Sequence, residues 1–315
     1  MLMFIKERVR PVQLDLLPSL LNRLPSSHPG YEKVQHHLRS INAGFGGEQY
    51  VDERLRHMNW DVPHFIVCDL NVASGRTFCQ IDTLVFTPHY VLVLEVKNFS
   101  GTLQFQGNRY QMTRITREGD EEGFDSPVSQ VLRAVKEVRI LLRKAGLSLP
   151  IFSAVVLPYA RTIVKGTTDD VPIVFSKALP LFISNLPTTN PLVATEDLQF
   201  AAEKIASFHQ PFIPKNFSSR YEFTLSDLRT GVICADCGRS AAKQSIRAHY
   251  CHACQMPILD GYVSALRDWR DFISPLIRSS ECQTFLQLPN KNATYYVLKN
   301  LAERIEYGLW RIKEL

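Results

Sequence analysis

Hydrophobic and polar positions along the chain switch between two periods. Residues 64–72, 78–86 and 90–97 are rich in Val, Ile, Leu, Phe and Tyr and read as strands, the last two joined as a hairpin through the short Thr87-Pro88-His89 connection. Residues 102–105 and 109–115 read as further strands, and the acidic, glycine-containing stretch 118–125 as an exposed loop. Ser126-Pro127 then opens a helix with a capping serine, a proline in its first turn and an apolar stripe of Val128, Val131, Leu132, Val135, Val138 and Leu142, stopped by Gly146. Apolar runs at 151–157 and 171–175 have strand length and are separated by a polar loop at 165–170, and 195–208 reads as one more helix. Buried strands flanked by helices predict a layered α/β domain.

The flanks read differently. Leu14, Leu16, Leu17, Leu20, Leu21 and Leu24, interrupted by Pro11, Pro18 and Pro25, predict an N-terminal arm of short helices over 1–40. From Gly46 a helix is expected with Glu48, Val51 and Leu55 on one face, so that a carboxylate shares an apolar stripe. Pro211, Pro214, Asn216, Ser218 and Ser219 read as a linker, with the main boundary near 215–228. The expected organisation is therefore an arm at 1–40, an α/β domain at 41–215, a cysteine-bearing segment at 228–260, and at 261–315 a C-terminal region of two or three helices around Trp269, Phe272, Phe285, Leu298 and Leu301.

A chain of 315 residues with 45% hydrophobic and 21% charged residues has material for more than one core, which excludes general disorder. Its net charge of +5 permits a nucleic-acid partner without identifying one. No apolar run approaches the roughly 18 residues of a membrane-spanning helix, so no membrane partner is expected. Apolar residues 1–5 precede Lys6, Glu7 and Arg8, the reverse of a secretory leader, and a cytoplasmic location is expected. Seven cysteines, four of them in one short window, suit a reducing compartment and one thiolate metal site better than a disulfide framework.

Strand alternation puts Asp82 on the face of Gln80, Leu84 and Phe86, and Glu95 and Lys97 on the face of Val91 and Val93. If the hairpin pairs as read, the three charges converge at one end of an otherwise apolar sheet. Buried acids need partners, and a hard divalent cation is one such partner; an ion pair at a sheet rim is the other. A lysine two residues beyond a metal-binding glutamate is placed to hold a water or to steady charge developing on a phosphate.

These residues resemble the Asp…Glu-x-Lys core of the PD-(D/E)xK nuclease superfamily and, more narrowly, the nuclease-related domain called NERD. The matching pieces are Gly47-Glu48, Gln80-Ile81-Asp82, the run from Glu95 through Val96, Lys97, Asn98, Phe99 and Ser100 to Gly101, and Pro127 with Gln130; together they cover about 43–157. The resemblance implies a restriction-endonuclease-like core with a mixed central sheet flanked by helices. It also implies metal-dependent phosphodiester hydrolysis with Asp82, Glu95 and the Val96 carbonyl around magnesium or manganese, Lys97 as catalytic lysine, and Glu48 assisting the metal. Gln130 would orient a phosphate, a water or Lys97, or is an ordinary polar residue near a helix start. Glu48 has a competing role as an acid favoured by the helix dipole. No serine, histidine or second acidic cluster supplies an evident general base.

Cys234-Ala-Asp-Cys237 and Cys251-His-Ala-Cys254, thirteen residues apart, form two C-x2-C knuckles that predict a structural, tetrahedral zinc ribbon. His249 and His252 are expected to face solvent. Arg239, Lys243 and Arg247 beside the knuckles make a basic face suited to nucleic-acid phosphates, or simply a solvated one. The reading that emerges is a magnesium-dependent nuclease acting on DNA, and after it RNA, aided by the zinc region. The alternatives are a non-catalytic nucleic-acid-binding protein that kept the nuclease fold, and an adaptor that recruits a protein partner through its C-terminal region.

Overall fold

The computed structural model describes residues 2–105, 110–166, 168, 171–188, 190–214, 217–245 and 248–314. Asn216 and Arg247, named above, and residues 109, 167, 169 and 170 of the stretches 109–115 and 165–170 lie outside the described residues. The elements run β1 (Leu2–Lys6), α1 (Gln13–Arg23), α2 (Pro29–Arg56), β2 (His64–Ser74), β3 (Thr77–Phe86), β4 (Val91–Val96), β5 (Thr102–Gln104), β6 (Gln111–Ile115) and β7 (Glu121–Asp125). They continue with α3 (Pro127–Ala145), β8 (Ile151–Leu157), β9 (Ile163–Lys165), β10 (Ile173–Phe175), α4 (Leu179–Ser184), α5 (Thr195–Ala206) and α6 (Phe217–Tyr221). The last are β11 (Ala242–Lys243), β12 (Ala248–Cys251), β13 (Met256–Leu259), α7 (Gly261–Phe272), β14 (Leu276–Arg278), α8 (Ser279–Phe285), α9 (Lys291–Leu301), β15 (Ala302–Glu306) and β16 (Leu309–Ile312). Two compact units result, Met1–Arg10 with Ala43–Phe212, and Pro11–Asn42 with Ile213–Leu315.

The first unit is built on a six-stranded mixed sheet in the order β1-β2-β3-β4-β8-β10. β2, β3 and β4 are antiparallel neighbours, while β1 on β2, β8 on β4 and β10 on β8 are parallel. Alternation sorts β4: Val91 and Val93 pack with Ala134, Val138 and Leu142 of α3 and with Leu198 and Ile205 of α5, whereas Leu92, Leu94 and Val96 pack with Val51 and Leu55 of α2 and with Leu179 and Ile183 of α4. Both faces are therefore covered by helices, the mixed-sheet α/β core expected from the sequence. Ser126 caps α3 by accepting the Val128 amide, Pro127 occupies the first turn, and Gly146 closes the helix at φ +81°. A second, four-stranded sheet, β7-β6-β5-β9, stands beside it.

In the second unit, Leu17, Leu20 and Val34 pack with Phe217, Tyr221, Phe223 and Phe272. A separate core gathers Trp269, Phe285, Val297, Leu298 and Trp310. The buried Arg23 guanidinium is held by Asp268 at 2.8 Å and by the carbonyls of Arg229 and Gly231 at 2.8 Å. No helix among the described residues is long and apolar enough to cross a membrane.

Five expectations need correction. The segment 1–40 is not a run of short helices alone, because the apolar residues at its start form β1 and pair with β2. The helix expected from Gly46 already begins at Pro29; Gly44, Gly46 and Gly47 have poor helix propensity and hide a helix that tertiary packing imposes. The loop at 118–125 contains β7, whose mostly exposed residues pair with β6 through backbone bonds and leave no apolar alternation to read. Ser218 and Ser219, read as linker, lie in α6, anchored by buried Phe217 and Tyr221. The C-terminal region holds β14, β15 and β16 besides its helices, forming a three-stranded sheet.

Candidate functional site

Asp82 sits on β3 and Glu95 on β4, on the sheet face of Leu84, Phe86, Val91 and Val93, and Lys97 follows the end of β4. The Asp82 Oδ2 accepts the Val96 amide at 2.8 Å, and Lys97 Nζ lies 2.7 Å from Glu95 Oε1. Both carboxylates are nearly buried, while Lys97 retains 27% side-chain exposure. Glu48 from α2 and Gln130 from the first turn of α3 line the same open cavity of about 580 Å³, so the structure brings together all five side chains singled out in the sequence. Val96, on the opposite sheet face, contributes its amide to Asp82.

Glycine and asparagine set this arrangement. A Cβ on Gly47 would stand 3.0 Å from Asn98 Cβ and 3.0 Å from Pro158 Cγ, and the Asn98 amide donates to the Ala43 carbonyl at 2.8 Å. Helix α2 thus approaches the end of β4 closely enough for Glu48, the next residue, to reach the cavity. Gly101 at φ +90° turns the chain where any side chain would meet the Ile115 carbonyl at 2.3 Å.

The electrostatics are those of crowded acids. Burial, then the charge of Asp82, lifts Glu95 to about 7 against the pull of Lys97. Burial, then Asp82, lifts Glu48 to about 8. Asp82 itself is raised by burial, opposed by Lys97 and the Val96 amide. Burial works against the Lys97 ammonium, but Glu95 and Asp82 outweigh it and hold Lys97 above its ordinary value. Such a set attracts positive charge. The three acids do not close into a cage, however: among the described residues, the group of three or more His, Cys, Asp or Glu close enough to share an ion is the four cysteines. A hard cation here would rest on two carboxylates plus carbonyl, water and phosphate oxygens, a donor set that suits magnesium.

Sequence reasoning missed Arg8. Its guanidinium is 4% exposed and spends all its nitrogens on Asp52 at 2.6 and 3.1 Å, Glu48 Oε2 at 2.8 Å, the Asp82 carbonyl at 2.8 Å and Thr83 Oγ1 at 3.1 Å. Nothing local to residues 7–10 announces this. Arg133, Lys136 and Glu137 of α3 also line the cavity, and a signal for Arg133 and Glu137 existed: with Gln130 they recur at i, i+3 and i+7 beside the apolar stripe.

In the second unit, the four Sγ atoms of Cys234, Cys237, Cys251 and Cys254 lie within 4.8 Å of one another, with 3.9 Å between Cys234 and Cys254 and 3.5 Å between Cys237 and Cys251. A tetrahedron with metal–sulfur bonds of about 2.3 Å has edges of about 3.8 Å, so this cluster fits a metal. Backbone amides complete the knuckles: Cys234 accepts from Asp236 and Cys237, and Cys251 from Ala253 and Cys254, the Cys254 amide drawing the Cys251 thiol down to about 7. Arg239 and Lys243 are exposed beside it, and Lys243 lies 5.9 Å from the Tyr262 ring centre. His252 is exposed as expected, but His249 is 4% exposed, edge-on to Tyr262, because β12 turns it inward.

No curated protein and no solved structure matches the chain. The family model of the nuclease-related domain, NERD, matches residues 43–158, a span that holds Glu48, Asp82, Glu95, Lys97 and Gln130 together with β2, β3, β4 and β8 of the mixed sheet.

Proposed function

We propose that the chain is a magnesium- or manganese-dependent nuclease that hydrolyses phosphodiester bonds in DNA, with RNA as the second candidate substrate. The observation that carries this reading is the pair of nearly buried carboxylates, Asp82 and Glu95, beside the Lys97 ammonium at the wall of an open polar cavity inside a nuclease-related domain. Asp82, Glu95 and the Val96 carbonyl would hold the cation, with Glu48 assisting from α2. The bound cation supplies charge neutralisation at the scissile phosphate and lowers the pKa of a coordinated water.

The protein's own groups supply the rest. The Val96 amide fixes one Asp82 oxygen and leaves the other for the cavity. Lys97, held above its ordinary pKa, stays an ammonium and stabilises the charge that grows on the phosphate. Gln130 orients a water or a phosphate oxygen, and Arg133 and Lys136 give the cavity mouth cations for the flanking backbone. Arg8 fixes Glu48 and Asp52 and holds the carbonyl of Asp82, which makes it a positioning residue.

The four-cysteine site would take zinc, with a structural role since four thiolates close its coordination sphere. Arg239 and Lys243 are its exposed cations for nucleic-acid phosphate, with Arg247 proposed from sequence alone. All seven cysteines are free, which supports a reducing, cytoplasmic setting. The test is cleavage of single-stranded, duplex and branched DNA and of RNA with magnesium or manganese. Wild type should cut in a metal-dependent way, and Glu95→Ala and Lys97→Ala, folded by circular dichroism, should not. An inert wild type across these substrates, with nucleic-acid binding intact, favours the non-catalytic reading; a partner lost on deleting 228–315, with nucleic-acid binding unchanged, favours the adaptor.

A further inference from the structure

From α7 onward the chain runs helix, strand, helix, turn, helix and hairpin, and the sheet order β14-β16-β15 lays the final hairpin against the short first strand. One core holds it together: Trp269 of α7, Phe285 of α8, Val297 and Leu298 of α9 and Trp310 of β16. This order, α8 and α9 followed by a β-hairpin, is that of a helix-turn-helix closed by a wing. We propose that residues 261–312 form a docking module for duplex DNA, with α9 entering the major groove and the turn between β15 and β16 lying on the adjoining backbone.

Helix α9 has two faces. Thr294, Val297 and Leu298 point into the core, and Asn292, Tyr295, Tyr296 and Lys299, at i, i+3, i+4 and i+7, form the exposed stripe. Its sequence carries Lys291 and Lys299 and no acid. A helix about 10–12 Å across fits the roughly 12 Å major groove. Asparagine can read a base edge, while tyrosine hydroxyls and lysines suit phosphates.

Between the start of α8, α9 and the wing lies a cavity of about 380 Å³ lined by Ser279, Ser280, Lys291, Tyr295, Arg304 and Tyr307, hydroxyls and cations of the kind that take a phosphate. At the wing tip Tyr307 is 91% exposed beside Arg304, whose guanidinium lies 5.6 Å from its ring centre, and Gly308 at φ +76° makes the turn. Three acids of the module are engaged elsewhere, Asp268 with Arg23, Asp271 with Arg270 and Glu281 with the Arg278 amide, and Glu303 stands opposite the cation of Arg311 in the hairpin register. Glu306 offsets one of the three cations Lys291, Lys299 and Arg304.

This inference deepens the nuclease reading by naming duplex DNA as the docked form, and it rests on that reading only for the choice of nucleic acid, so binding is measured apart from cleavage. The full chain, in magnesium-free buffer that retains zinc, is titrated onto labelled duplex DNA of about two helical turns, the matching single strand and an RNA duplex, by fluorescence anisotropy. Lys291→Glu/Lys299→Glu, and separately Arg304→Glu/Tyr307→Ser, should weaken duplex DNA binding by about tenfold or more and reduce the salt dependence of log affinity by about 1 to 2, with zinc content and circular dichroism unchanged. Duplex affinity within about twofold of wild type in both variants, or a preference of wild type for the single strand or the RNA duplex, overturns the proposal. Duplex binding lost in the variants while wild type fails to cleave supports the docking surface and removes the nuclease reading; Glu95-dependent cleavage with undiminished duplex binding in the variants does the reverse.

Discussion

Replacing Glu95 by glutamine should stabilise the magnesium-free protein at alkaline pH while abolishing cleavage. Burial and the charge of Asp82 lift Glu95 from an ordinary 4.5 to about 7 in the folded protein. Each tenfold in proton affinity is about 1.4 kcal/mol, so the ionised Glu95 costs the fold about 3 kcal/mol. The folded state binds this proton more tightly than the unfolded chain. The associated stability is therefore fully present below about 4.5 and is lost as pH rises through about 7. Glu48, raised to about 8, extends the loss upward; both glutamates lean on Asp82, so their costs overlap rather than add.

Glutamine keeps the shape of the protonated acid and still offers Lys97 an oxygen. Scanning calorimetry in magnesium-free, zinc-retaining buffer should give similar melting temperatures for wild type and Glu95→Gln at pH 5. At pH 8.5 the variant should melt about 6–12 °C higher in the transition of the sheet unit. Magnesium should raise the wild-type transition at pH 8.5 and leave the variant nearly unmoved. A wild-type profile flat between pH 5 and 8.5, or a variant that melts lower at pH 8.5, would refute the reasoning, because acids that are not crowded in the apo fold have no strain for a cation to relieve.

Two further outcomes test the scaffold. Gly44→Ala, with open space around its Cβ, should be neutral or stabilising by up to about 1 kcal/mol in urea titration, whereas Gly47→Ala should push Asn98 away and cut cleavage more than stability. Cys254→Ser should lower zinc, read with a colorimetric chelator, from one per chain to a weakly held fraction and should melt the second unit at lower temperature, because binding and folding of such a segment are linked.

What could be read from the chain followed from how local each signal is. A strand's period is rigid, so Asp82 could be placed with Leu84 and Phe86, and Glu95 and Lys97 with Val91 and Val93, from sequence; the register of β3 on β4 is what joins the two sets on one face. The cap, proline and glycine bounding α3 act within one turn and were equally plain. Two C-x2-C knuckles carry their own geometry. The course of β1 was not local: its apolar residues fit a helix or a strand, and only the edge of β2 decides between them. Arg8 belongs to the same class, since its acids stand 40 and 44 residues away.

The C-terminal hairpin shows why an exposed element escapes a reading based on hydrophobic alternation. Glu303, Arg304, Ile305 and Glu306 are all exposed, so β15 has no buried face along most of its length, and its pairing with β16 is carried by backbone bonds that no side chain announces. Helix α9 poses the complementary difficulty: Val297 and Leu298 declare a buried stripe, but whether the opposite stripe meets solvent or another element depends on the rest of the fold. The signal for a core is the presence of apolar periodicity. The signal for a docking surface is that aromatic and basic side chains stay outside a core complete without them, and Tyr307 and Lys299 acquire that meaning only once Trp269, Phe285 and Trp310 are seen to close the core behind them.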